Sequence, residues 1–266
     1  GVSGVMVTVF PFNYNPIENK LSITRSAKFE INVNAELEAP VYKSEAYNEF
    51  LKNVLVGYQP TESLLSMRYL IITAPTFEAG LASFINHKSA QGFTVDVFNT
   101  TTTGTTTTAI KAFIQARYDN AATRPEFILL VGDVQHIPSW IGTGEGNPNT
   151  DLNYAQLAGT DKFADAFIGR FSVTTAQELQ NALTKSIYME SYIATLAKKN
   201  VFMASTDNYD ITEATHNYVI NTHFQPAGWE NLKLYTVTYN ATTQQLIDAL
   251  NANQRFAIYS GHGGET

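Results

Sequence analysis

The chain has 266 residues, 44% hydrophobic and 15% charged, with 17 Lys and Arg against 24 Asp and Glu for a formal charge of -7. That length and apolar share suffice for a full core, in one large domain or two modest ones. The acidic balance, spread without basic clusters, argues against a nucleic-acid partner. No apolar run approaches the roughly 18 residues needed to span a bilayer, so no transmembrane segment is expected. The absence of cysteine excludes disulfides and thiolate metal sites within these residues.

In chain order, the first elements are strands. "GVMVTVFPF", a turn "NYNPIENK", "LSITRS" and "AKFEINVN" alternate apolar and polar residues with period two. Such a hairpin is marginal alone, so it is expected to close a β-domain that begins upstream or to pack on the domain after it. Residues 44 to 55 have a helical pattern, and "GYQPTES" suits a linker.

After Met67 the texture becomes alternating strand and helix. "RYLIITA", "FTVDVF", "EFILLVGD", "NVFMASTD", "LKLYTV" and "RFAIYSGH" read as strands. Helical patterns occupy 77 to 91, 105 to 119, 174 to 196, 211 to 224 and 242 to 252. This is an α/β protein with a mostly parallel sheet covered on both faces. Thr175 with Glu178, and the run "TTQQ" at 242 to 245, carry capping-box spacing. The tract "TTTTGTTTTAIKAF" is read as a loop and helix cap.

In open parallel sheets, ligands and catalytic groups collect beyond the carboxyl ends of the strands. Asp133, Asp207 and His262 follow apolar strands at such positions. An aspartate there is more often a cap or loop anchor, whereas His262 sits among Gly261, Gly263 and Gly264, which permit a sharp turn and unhindered amides. "GTGEGN" lacks dinucleotide-binding spacing and reads as a loop. His216 and His223 show no zinc pattern and are expected at the surface. No HExxH, G-x-S-x-G or P-loop is present, and Ser260 is poorly placed as a nucleophile for His262.

"ILLVGDVQHIP" (128 to 138), "TDLNYAQLAGTDKFADAFIGRFS" (150 to 172) and "YSGHGGET" (259 to 266) together resemble the gingipain family of cysteine endopeptidases. The resemblance implies a caspase-like fold, with residues 1–45 the end of a β-rich pro-domain and 46–66 a linker. Residues 67–198 would form a first caspase-like subdomain and 199–266 the start of a second. It implies His262 as catalytic histidine, Gly263 as oxyanion donor, Asp207 as the acid orienting the histidine, and Glu213 in a pocket for a basic P1 side chain. The nucleophilic cysteine would lie about 50 residues or fewer downstream of the histidine, so these residues alone are expected to be inactive.

No cofactor is required for such chemistry. The family habit of binding calcium points to Asp151, Asp161 and Asp165 as oxygen ligands of a structural ion. Gly57 stands before "YQP" where the arginine-directed members cut after a basic residue. Activation elsewhere, for instance after Lys52, no processing there, or a non-basic specificity would each account for it. The expected partners are protein or peptide substrates and the protein's own pro-domain. The resemblance implies a secreted or cell-surface bacterial zymogen, and the low charge and 14 tyrosines fit export. The other readings are a sortase-like member of the family serving a bacterial secretion system, and a non-catalytic caspase-like scaffold. A cysteine at the end of the next strand distinguishes enzyme from scaffold.

Overall fold

The computed structural model describes residues 8, 10–26, 28, 30, 45–54, 58, 67–143 and 146–262. The chain divides into two compact units, Gly1–Leu183 and Thr184–Thr266. In the first, strand β1 (Phe12–Asn15) pairs antiparallel with β2 (Lys20–Ile23). The turn is shorter than the sequence suggests, so residues 13 to 15 are strand. Asn15 Oδ1 accepts the amides of Ile17 (3.0 Å) and Glu18 (3.3 Å), and Asn19 adopts the left-handed conformation, φ 46°. Helix α1 (Glu45–Val54) comes next. Most of "AKFEINVN" and "GYQPTES" lies outside the described residues.

Alternating elements then build a parallel sheet. They are β3 (Arg68–Thr73), α2 (Pro75–Glu78), α3 (Ala82–Ala90), β4 (Thr94–Asn99), α4 (Thr100–Thr103), α5 (Thr107–Asp119) and β5 (Phe127–Val131). A short antiparallel pair, β6 (Trp140–Ile141) and β7 (Asn149–Thr150), precedes α6 (Leu152–Ala155), β8 (Phe167–Phe171) and α7 (Ala176–Tyr192). The strand order is β4-β3-β5-β8, all parallel. Helix α5 presents Ile110, Ile114 and Tyr118 at four-residue spacing to Leu70, Ile72, Ile128 and Leu130. Ile71 and Leu129 are buried too, as strands covered on both faces require. The threonine tract supplies the expected helix cap, but where a loop is expected Thr100–Thr103 form the short helix α4. Asn99 Oδ1 accepts the Thr101 amide, Gly104 stops α4 at φ 87°, and Thr106 Oγ1 accepts the Ala109 amide to start α5.

The second unit contains β9 (Lys199–Ala204), α8 (Tyr209–Val219), β10 (Glu230–Tyr235), α9 (Thr243–Asn251) and β11 (Phe256–Ser260), with a π turn at Ile220–Phe224 ending α8. The strand order is β10-β9-β11, parallel throughout, with Ala204 level with both Tyr235 and Ser260. On one face Phe202 and Ala204 pack with Ile220 and Tyr235; on the other Val201 packs with Leu234 and Ala249. The expected box at α9 is complete, with Thr242 and Gln245 each capping the other's amide. No helix among the described residues is long and apolar enough to cross a membrane.

Candidate active site

Three consecutive strands arranged 2-1-3 send the chain outward from β9 in opposite directions. The carboxyl edge between β9 and β11 is therefore the switch point of this sheet. Two of the three residues expected at strand ends, Asp207 and His262, meet there. His262 lies two residues beyond β11 and Asp207 three beyond β9, and His262 Nε2 is 2.7 Å from Asp207 Oδ2. The Ser205 amide donates to Ser260 O across the strand ends (3.0 Å), and the Asp207 amide donates to Ser205 Oγ (3.3 Å). These bonds hold the two loops in register. With Nε2–H donated to the carboxylate, the ring presents Nδ1 as its proton acceptor.

The side chains of His262 and Asp207 are 80% and 48% exposed. A pair so open to water contributes no more than about 1 kcal/mol to folding. Tyr259 shapes the loop from beneath. Its hydroxyl donates to His262 O (3.1 Å), and a Cβ on Gly261 would fall 2.6 Å from Tyr259 Cζ and 2.7 Å from Ser205 Oγ. A side chain at Gly261 would make Tyr259 or Ser205 shift, a reason for glycine the sequence did not disclose. Tyr259 also walls a cleft of about 250 Å³ floored by Met203, Leu234 and Leu246, with Thr236 and Thr242 at its edge and no charged side chain in its lining. Gly263 lies outside the described residues.

Glu213 sits on α8 and is turned inward, buried, with its carboxylate held by the Thr238 hydroxyl and amide after β10. In this arrangement it braces a turn. His216, one turn further on, corrects the expectation of a surface histidine. It is 4% exposed, with its ring edge-on to Phe202 and Nε2 2.8 Å from Ser260 Oγ. Burial pushes its pKa down, opposed by the nearby Glu213 charge. Glu213, His216 and Ile220, spaced three and four apart, form the buried stripe of this helix and its continuation. That spacing was a legible signal. His223 lies in the exposed π turn.

The family model for Peptidase family C25 matches residues 62–266. The chain belongs to peptidase family C25. Gingipain R2 of Porphyromonas gingivalis is 27% identical over 287 residues, which cover all of this chain and 38% of that protein. Lys-gingipain of the same bacterium is 27% identical over 291 residues, covering 16% of its length. The chain therefore spans well under half of these relatives. Among solved structures, the Arg specific cysteine proteinase gingipain R superposes with a TM-score of 0.66 at 26% identity, over 79% of this chain and 50% of that one. The complex of Porphyromonas gingivalis RgpB pro- and mature domains gives 0.63 at 26% identity, over 75% and 48%. The parallel α/β architecture of this C25 chain is the caspase-like fold.

The three aspartates expected at a calcium ion do not gather. Asp151 forms a two-pronged ion pair with Arg170, at 2.8 Å to Nε and 2.7 Å to NH2. Asp165 Oδ2 accepts the Leu157 and Ala158 amides, both at 2.8 Å, and Asp161 accepts the Phe163 amide at 2.9 Å. No cluster of three acidic, histidine or cysteine ligands occurs among the described residues. These carboxylates do not fit a shared ion; they organise the loop between β7 and β8. Arg170 NH1 also donates to Gly132 O and Ile137 O, anchoring the loop after β5. The Asp133 amide there donates to Val173 O, and its carboxylate accepts the Val134 amide, so Asp133 is a loop anchor.

Proposed function

We propose that the full-length protein is an exported bacterial cysteine endopeptidase in which His262 is the catalytic base and acid and Asp207 orients it. The observation that carries this reading is the 2.7 Å contact between His262 and Asp207 at the sheet's switch point in a chain of peptidase family C25. The 266 residues contain no cysteine, so the nucleophile belongs to sequence outside them. His262 Nδ1 takes the thiol proton, the thiolate sulfur bonds to the scissile carbonyl carbon, and the imidazolium returns the proton to the departing amine. Water then hydrolyses the thioester with the same histidine as base. The amide of Gly263 stabilises the oxyanion. No metal or cofactor enters these steps.

Binding of the chain's own pro-domain belongs to this reading, supported by a structural relative solved as a complex of pro- and mature domains. The bacterial part of the reading is supported by the source of the relatives. A basic P1 residue would require Glu213 to leave Thr238, whereas the cleft beside Tyr259 is uncharged. The test is cleavage of a P1-varied peptide library by the full-length gene product. His262→Ala should abolish turnover and Asp207→Asn should lower kcat by at least about 100-fold, in line with losing the orienting acid of a catalytic histidine. A fully active His262→Ala protein would overturn the proposal.

A further inference from the structure

Asp207 and His262 reach each other from loops on two different strands, so something must hold those loops at one separation. The residue after Asp207, Asn208, caps α8 in the left-handed conformation (φ 42°), so the placement of α8 sets the path of the chain at Asp207. Ser260, the last residue of β11, is followed only by Gly261 before His262. His216 on α8 bonds Ser260 at 2.8 Å, so one part-buried contact joins the helix next to the acid to the strand that precedes the base.

We infer that the His216–Ser260 pair is a positioning device that sets the separation of Asp207 and His262. The inference rests on the proposed catalytic role of that dyad. Three further observations support it. His216 is buried against Phe202 of β9 and Tyr235 of β10, so its ring has little room to turn. Its Nδ1 is buried without a hydrogen-bond partner among the described residues. A bare ring nitrogen tolerates that better than an unpaired N–H, which favours the tautomer in which Nε2–H donates to Ser260 Oγ. The same helix is also pinned by Glu213 to Thr238, and by Asn217 Oδ1 to Lys233 Nζ (2.7 Å) and the Tyr235 hydroxyl (3.2 Å). Helix α8 is thereby fixed to β10 and the turn after it, and only His216 among these clamps reaches β11.

The experiment compares wild type with Ser260→Ala, Ser260→Thr, His216→Leu and His216→Gln in the full-length protein. Ser260→Ala and His216→Leu are expected to lower kcat by roughly 10- to 100-fold with KM within about twofold, the scale of a misplaced catalytic group. Ser260→Thr keeps the hydroxyl, and His216→Gln keeps a donor near the Nε2 position. Both should recover most of kcat. In parallel, nitrogen-15 spectra of histidine-labelled protein should show His262 as the Nε2–H tautomer in wild type and averaged between tautomers in Ser260→Ala. If His216→Leu does not fold, Ser260→Ala decides. Unchanged kcat in Ser260→Ala, or no recovery in the conservative variants, overturns the inference. A wild type that cleaves nothing overturns the peptidase reading instead, and the tautomer signal then decides the positioning claim by itself.

Discussion

Gly261 shows how much a single missing methyl can hold. Tyr259 lies beneath it and reaches the carbonyl of the next residue, His262, so a side chain at 261 must drive the tyrosine off that carbonyl. If the full-length protein has the proposed peptidase activity, Gly261→Ala is expected to leave the fold intact while lowering its kcat by about 10-fold or more, the scale on which small misplacements of a reacting group are felt. Tyr259→Ala should lower it by a similar amount. Because both changes break the same contact, the double variant should be little worse than either, and a double-mutant cycle by steady-state kinetics measures that coupling.

At the level of elements, β8 is the strand that the sequence pattern hides. Gly169 and Arg170 interrupt "FIGRF", so neither alternation nor an apolar run announces it. It is held by stacking of Phe127 on Phe167 across the strand pair (5.2 Å) and by the Arg170 anchors. The Arg170 side chain is only 9% exposed. Removing its carboxylate partner would strand a nearly buried charge. Asp151→Ala should therefore destabilise the first unit by about 3 kcal/mol, the usual loss when one partner of a buried pair is deleted. Chemical denaturation with calcium and with EDTA should give the same loss, because the carboxylate serves arginine and not an ion. The capping boxes behave differently. Thr175 with Glu178, and Thr242 with Gln245, are readable three residues apart because both partners lie on one helix turn. Ser260, by contrast, is 44 residues from His216, and no local pattern could pair them.

For the whole molecule, the alternating βα texture and the strand ends at Asp207 and His262 were legible because long apolar runs bounded by polar loops have few alternative readings. What stayed hidden were contacts that depend on which strands become neighbours: Glu213 with Thr238, His216 with Ser260, and the tyrosine against Gly261. The buried ionisable groups also set a pH window for stability. His216 has a lowered native pKa, so below its unfolded value of about 6.5 the unfolded chain takes up a proton that the native state resists. Unfolding free energy therefore decreases as the pH is lowered there and levels off once the native group titrates. Tyr118, Tyr154 and Tyr235 are pushed up to about 12, chiefly by burial. Above about pH 10 the unfolded chain loses protons that the native state keeps, and stability falls again. Denaturant titrations from pH 4 to 11 should show both limbs, and His216→Gln should flatten the acid one alone.

Strand β11 carries a consequence of another kind. It occupies an outer position in the three-stranded sheet, bonded to β9 on one side, with Phe256 and Tyr259 about half exposed. Its outward row of amides and carbonyls is a template for another strand. Any polypeptide that presents this edge uncovered is adhesive along the strand that leads to His262.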